Sequence, residues 1–374
     1  TTTLPKVQNI AIKFGCDPEF FFLKNGKTIG SEKVIDLKHG LLVNGASKII
    51  VDGVQAELNP APSTCRQGLA GSISQSFKLL YKQIDTKKLI SVSFAPTVKI
   101  TKKELLSLNE NSRKFGCAPS KNLKDGKNSA ILVKKAPIDA TNYKYRSAGG
   151  HIHIGNPYEQ YPDMATTKML KEPERIIKML DIIVGNTCVL IDRDKGNIER
   201  RKNYGKAGEY RTPKHGLEYR TLSNFWLQNY ALMSLVMALT RFACSIVSTG
   251  LQSKNTAIED ALLKAVNLDN IDRAINDNNF ELAWQNFQAI ESILTKISMP
   301  SDPLSAARLI PFKYFIQKGT SHWFKKDPIQ HWINLNQGKN FYGWESFVDL
   351  VVTPEMNKKL LDTQLNKQLQ AKKQ

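Results

Sequence analysis

The feature that most limits this chain is a two-residue alternation of chemistry with grease. Residues 149–155 read Gly-Gly-His-Ile-His-Ile-Gly. Along a strand, side chains at i and i+2 share a face. His151 and His153 then face one way, and Ile152 and Ile154 the other. Two of the chain's six histidines sit here, between glycines that permit close backbone approach. The pattern recurs at Asp17-Pro18-Glu19, beside Phe20-Phe21-Phe22-Leu23. It recurs twice more as Glu-Tyr-Arg, at 209–211 and 218–220.

Other strands surround these. Phe20–Leu23 and Thr28–Gly30 flank Asn25-Gly26, a tight-turn signal because Asn-Gly accepts positive φ. Lys48–Val51 and Val54–Leu58 read as strands turning at Asp52-Gly53, and Ile90–Phe94 as another. Helical spacing predicts helices over 67–89 (Leu69, Ile73, Phe77, Leu80), 172–191, 224–249, and two or three within 258–297. Residues 111–128 read as a long loop. Prolines between Pro300 and Pro311 break the pattern, and the segment 312–347 is aromatic-rich, with Trp323, Trp332 and Trp344. Strands early and helices late give an α+β chain. The expected division is a domain over 1–300, then a helical extension over 301–374 ending in a basic tail.

Composition narrows the class. At 374 residues, 41% hydrophobic and 23% charged, a disordered or collagen-like chain is excluded. No run is expected to supply the ~20 apolar residues of a membrane span. Thr1–Lys6 lacks the charged-then-apolar order of a signal peptide, so a cytoplasmic location is expected. The cysteines (Cys16, Cys65, Cys117, Cys188 and Cys244) form no CxxC pair and read as reduced thiols. Gly26-Lys27-Thr28 matches the end of a phosphate-binding loop, but Phe21 stands where that loop requires glycine. A net charge of +19 attracts anions. An acidic polymer or nucleic acid is compatible with it, and so is a merely solvated surface.

The clusters carry the chemistry. Two carboxylates on one face repel unless a cation lies between them. Asp17 and Glu19 thus read as oxygen ligands for a divalent metal, or as a solvated strand edge. Glu57 ends a strand. His151 and His153 suit metal or phosphate. Each Glu-Tyr-Arg sets a carboxylate beside a phosphate-binding guanidinium, or else forms a surface ion pair. Acids, histidines and arginines together match metal-assisted phosphoryl transfer.

In their order, Asp17/Glu19, Glu57, His151/His153 and Arg211…Glu218-Tyr219-Arg220…Asn224 resemble the glutamine synthetase superfamily, which includes glutamate–cysteine ligases. Within it they more closely resemble the phage-encoded type 2 carboxylate–amine ligases, or amidoligases. The resemblance covers roughly 14–226. It implies an antiparallel sheet funnel, helices on its outer face, holding ATP and Mg²⁺ or Mn²⁺. By motif position it implies Asp17, Glu19, Glu57, His151 and Glu218 as metal ligands, and His151, His153, Arg211 and Arg220 as contacts to the nucleotide. Arg211, Arg220 and Glu209 would serve catalysis. Asp17 stands where the superfamily commonly has Glu. The implied activity is ATP-dependent amide formation through an acyl phosphate, in the host cytoplasm if the chain is phage-encoded. The carboxylate and amine are unnamed, an amino acid or peptide being expected. A guanidino-kinase-like phosphotransferase and an inactive fold binding nucleic acid or virion are the alternatives.

Overall fold

The structure is a computed structural model that describes residues 3–85, 89–113, 120–123, 143–318 and 328–335. Expectations for Cys117, Trp323, Trp344, most of the 111–128 loop and the basic tail fall outside them.

The first strands follow in quick succession: β1 (Lys13–Cys16), β2 (Glu19–Lys24), β3 (Lys27–Ile29), β4 (Leu41–Asn44), β5 (Ser47–Asp52) and β6 (Gln55–Asn59). After helix Arg66–Asp85 come β7 (Ile90–Ser93), β8 (Thr97–Lys99), β9 (Lys121–Asn122), β10 (Tyr145–Ser147) and β11 (Ile152–Gly155). β12 (Glu209–Arg211) and β13 (Gly216–Tyr219) close the strand set. Every pairing among the described residues is antiparallel. One sheet runs β1-β11-β13-β12-β9, and a second runs β3-β2-β6-β5-β4 with β7 also on β2. The α+β class holds.

Two turns bear on the site. Asn25 and Gly26 adopt φ of 52° and 75°, as the Asn-Gly signal predicts. The next hairpin turns at Gly53-Val54, one residue later than expected, because Gly53 takes the positive φ of 64° and β5 extends through Asp52. A further difference concerns Asp17 and Glu19. They do not share one strand. β1 ends at Cys16 and β2 begins at Glu19, so Asp17-Pro18 carries the chain from the first sheet into the second.

The helices pack behind the sheets. Pro173–Leu180 continues through a π-turn, Asp181–Gly185, into Asn186–Val189. Tyr230–Ser253 begins at the Asn229 cap, whose side chain accepts from Leu232 N–H. Contrary to the sequence expectation, this helix is long and apolar enough to cross a membrane. However, 83% of its apolar window is buried within the protein, because it packs on Pro173–Leu180 and Arg66–Asp85. Three further helices fill 257–297. The proline cluster interrupts less than expected. Helix Ala306–Lys318 runs through Pro311, forgoing one backbone hydrogen bond while Phe312 and Phe315, just after it in sequence, are buried.

One core joins early and late parts. Phe14, Ile152, Ile154 and Leu217 bury one face of the first sheet, and Phe20, Phe77 and Trp332 lie in the same cluster. Phe77 and Trp332 ring centroids are 6.2 Å apart. Trp332 Nε1 donates to the Leu227 carbonyl at 2.7 Å, and Ser74 Oγ donates to the Trp332 carbonyl at 2.7 Å. Among the described cysteines Cys16, Cys65, Cys188 and Cys244 are free. Trp332→Ala is expected to cost about 3–5 kcal/mol in chemical denaturation. A loss below about 1 kcal/mol would show that the 328–335 segment is not docked on this core.

Candidate active site

Register builds the first cluster. β1 pairs Gly15 with His153, β11 pairs His153 with Glu218, and β13 pairs Glu218 with Arg211. Paired residues project from one face, so His153, Glu218 and Arg211 stand in a row over the Gly15 backbone. Two positions along, Asp17, His151, Arg220 and Glu209 form a second row. The Arg220 N–H donates to the Glu209 carbonyl at 3.1 Å, continuing the ladder. On the other face Ile152 and Tyr219 are buried, which is why the polar face is fixed outward.

Within this cluster every charge has an opposite neighbour. His151 Nδ1 lies 3.1 Å from Asp17 Oδ1 and 3.6 Å from Glu218 Oε1. His153 Nε2 lies 3.2 Å from Asp17 Oδ2. Glu218 Oε1 also meets Arg220 Nε at 3.2 Å and Arg211 at 3.4 Å. Burial alone would raise the Asp17 carboxyl. The two imidazoles outweigh it and hold its pKa below the usual carboxylate range. Burial lowers His151, while hydrogen bonding and charge from Asp17 overcome burial and raise His153. Asp17, His153 and Glu218 each offer a ligand atom within 4.8 Å of the others.

A second cluster lies across Pro18. Glu19 pairs with Glu57, Glu57 with Ile50, and Asp52 with Gln55. Alternation then puts Glu19, Glu57 and Asp52 on one face, their ligand atoms within 4.8 Å. No cation among the described residues forms an ion pair with these acids. Burial, then neighbouring carboxylate charge, pushes Glu19 up to about 7 and Glu57 up to about 9. Asp52 is raised for the same reasons, against the pull of Arg211 and Arg220. Three carboxylates cannot all ionise there without a compensating cation.

Residues outside the strands fix this geometry. Glu19 Oε2 accepts from Gly149 N–H at 2.7 Å and from Tyr204 Oη at 2.9 Å. The Tyr204 ring packs against two guanidiniums, with Arg200 Cζ 4.8 Å and Arg220 Cζ 5.7 Å from its centroid. It meets His151 edge-on at 5.9 Å. Arg200 is fully buried and donates to the carbonyls of Arg220, Thr221 and Leu222 at 2.8–3.0 Å. Gly205 follows at φ 75°, where a Cβ would strike the Arg200 guanidinium. Glu209 clamps this turn, accepting from the Gly205 N–H and, at 3.1 Å, from the Lys206 N–H. Glu209 therefore lies in the second row with its carboxylate directed to the loop.

All the residues singled out from sequence lie at these two clusters. Four more join them. Asp52 escaped because the turn was placed one residue early. His215, whose Nε2 is 2.9 Å from His153 Nδ1, sits in a loop. Tyr204 and Arg200 lie on no periodic face.

Residues 139–266 match the family model described as phage phiEco32-like COOH.NH2 ligase, type 2. This stretch, about a third of the chain, is similar to that ligase family. The matched stretch contains both histidines and both Glu-Tyr-Arg triplets, and omits Asp17, Glu19, Asp52 and Glu57. No curated protein matches the chain. Among solved structures it is similar to a bifunctional glutathione synthetase from Pasteurella multocida, at 10% identity and a TM-score of 0.42. That similarity covers 87% of this chain and 54% of the other, so the chain spans about half that protein's length. A likeness this slight says nothing of function.

The residues fit a divalent cation. The donors are carboxylate oxygens and imidazole nitrogens, His151 Nε2 is buried with no hydrogen-bond partner, and the second cluster holds more negative charge than its surroundings balance. Asp17, His153 and Glu218 would hold one ion, with His151 adjoining, and Glu19, Asp52 and Glu57 another. Raised carboxyls give stability below their ordinary range and lose it as pH climbs through about 7 and about 9. Metal ligands must be ionised, so a cation offsets that loss. The rise in melting temperature caused by Mg²⁺ is expected to be larger near about pH 9 than near about pH 6. Glu57→Gln should flatten the difference. A Mg²⁺ effect independent of pH in the unmodified protein would overturn the second site.

Proposed function

We propose that this chain is an ATP-dependent carboxylate–amine ligase that forms an amide through an acyl phosphate. The observation that carries the reading is the pair of registered rows, which aligns acids, imidazoles and arginines on one sheet face beside a cluster of acids that lacks a counter-cation. Ligation by ATP brings together two anions, and that requires positive charge at the reacting oxygens. When bound, a divalent cation supplies part of it by neutralising phosphate charge. Arg211 and Arg220, held by Glu218, would take the phosphoryl oxygens, and Glu218 keeps both guanidiniums from swinging into solvent. Arg200 orders the backbone that presents Arg220, and Tyr204 sets the distance between the two clusters.

In the first step a carboxylate oxygen attacks the γ-phosphorus, the bond to the bridging oxygen breaks, and ADP leaves with the pair. In the second, the amine lone pair forms the C–N bond and the C–O bond to phosphate breaks. Phosphate leaves with that pair and takes up the proton the amine sheds. The same reading makes the two polar sheet faces the walls of a glutamine-synthetase-like funnel, with the helices outside it. Asp17, which stands where the resembled superfamily commonly has the longer Glu, would hold an ion together with His153 and Glu218.

ATP-dependent phosphate release in the presence of Mg²⁺, a carboxylate and an amine tests the reading. Glu218→Gln and Arg220→Gln should each lower turnover at least about 100-fold with little change in melting temperature. Unchanged turnover in either variant would overturn the assignment, and phosphorylated acceptor without free phosphate would identify a kinase instead.

A further inference from the structure

A cavity of about 350 Å³ opens on the same sheet face, one register pair beyond the His153 row. Lys13 pairs with Gly155 there, and Gly155 with Gly216. Gly15 and Gly155 make its floor, and the Asn59–Pro62 turn makes its wall. A side chain at Gly15 would come within 3.2 Å of His153 Cβ and 3.8 Å of Pro62 Cβ, so glycine there keeps the floor clear. His153 and His215 line it, which connects the cavity directly to the first cluster. Asn59 lines it too, and donates to Glu57 Oε1 at 2.9 Å, which connects it to the second.

Beside the imidazoles of His153 and His215, the lining carries one lysine and one glutamate. Lys13 and Glu159 both line the cavity, and the side chain of neither forms an ion pair or hydrogen bond among the described residues. The volume is that of a small-molecule site. A triphosphate would need several cations, and Lys13 is the one lysine or arginine among the residues lining this end, while Arg211 and Arg220 lie at the far end of the rows. A molecule bearing both an ammonium and a carboxylate complements the pair.

Resting on the ligase reading above, we propose that this cavity is the amine-side subsite, and that the acceptor is a small zwitterion of the amino-acid type. Lys13 receives its carboxylate, and Glu159 receives its ammonium end. The placement suits the second step. The leaving phosphate is held at the arginine end, and the amine must reach the acyl carbon from a different side. A cavity across His153 from the arginines provides that approach, and its small size limits the acceptor to a single residue or little more.

The test is calorimetric titration of each proteinogenic L-amino acid into the full chain without nucleotide, followed by the N-acetyl and carboxamide forms of the best binder. At least one free amino acid is expected to bind at millimolar concentration, and blocking either end should weaken it about tenfold or more. Lys13→Met should abolish the penalty for the carboxamide, and Glu159→Gln the penalty for acetylation. Failure of every amino acid to bind, or penalties unchanged in both variants, would overturn the proposal. Titration of Mg²⁺ with ATP into the same proteins separates the two readings. Nucleotide binding without amino-acid binding sinks the subsite and leaves the ligase standing. Amino-acid binding with the two penalties, but no nucleotide binding, sinks the ligase and keeps the cavity.

Discussion

The site depends on the register of three short antiparallel strands, β1, β11 and β13, with β12 alongside. Because strand side chains repeat every two residues, a slip of one position would turn every polar group in both rows into the core. Turning those charges into an apolar core opposes such a slip. The apolar face opposes it as well. Phe14, Ile152, Ile154 and Leu217 are fully or almost fully buried, and moving any of them into water costs roughly 1.5–3 kcal/mol. The grease holds the chemistry in register.

Electrostatics then divides the face into two unlike halves. The first cluster neutralises itself: two imidazoles and two guanidiniums answer Asp17 and Glu218. In the second, Glu19 and Glu57 are answered by dipoles, the Gly149 N–H, the Tyr204 hydroxyl and the Asn59 amide, and Asp52 by the longer-range pull of Arg211 and Arg220. Dipoles offset a buried carboxylate only in part, so Glu19 and Glu57 hold protons well above the ordinary carboxylate range. The net charge of +19 does not reach them, because surface lysines are screened over a Debye length. The unbalanced half is the one that calls for a cation.

Much of this was legible in the sequence, and the unread parts have physical causes. His151/His153 and the two Glu-Tyr-Arg triplets were readable because strand alternation is local, needing no knowledge of the partner strand. Asp52 was not, since Asp52-Gly53 and Gly53-Val54 both make acceptable turns and only the register with β6 decides between them. Asp17 and Glu19 were singled out on a shared strand face that they do not have: Pro18 sends them into different sheets, which is how one tripeptide reaches two clusters. Tyr204 and Arg200 belong to no repeating face. Pro311 looked like a stop, yet burial of Phe312 and Phe315 outweighs the one hydrogen bond it forfeits. The membrane-length helix Tyr230–Ser253 differs from a spanning helix only by what packs around it, which no single-chain hydropathy reveals.

The segment that matches the ligase family begins at residue 139, after Asp17, Glu19, Asp52 and Glu57 have all been laid down. The matched part nevertheless does not stand apart from the rest. Gly149 and Tyr204, both inside it, are the two donors that orient Glu19, and His151 and His153 face Asp17. Removing the first sixty residues would leave His151, His153, Arg211 and Arg220 as four cationic or basic groups around one carboxylate, Glu218. Removing the matched segment would leave one buried and two half-buried acids with no side-chain donor to them among the described residues except Asn59. Each half supplies the charge the other lacks, so the family's sequence signature marks only the basic half of a site whose acidic half is written in the early strands.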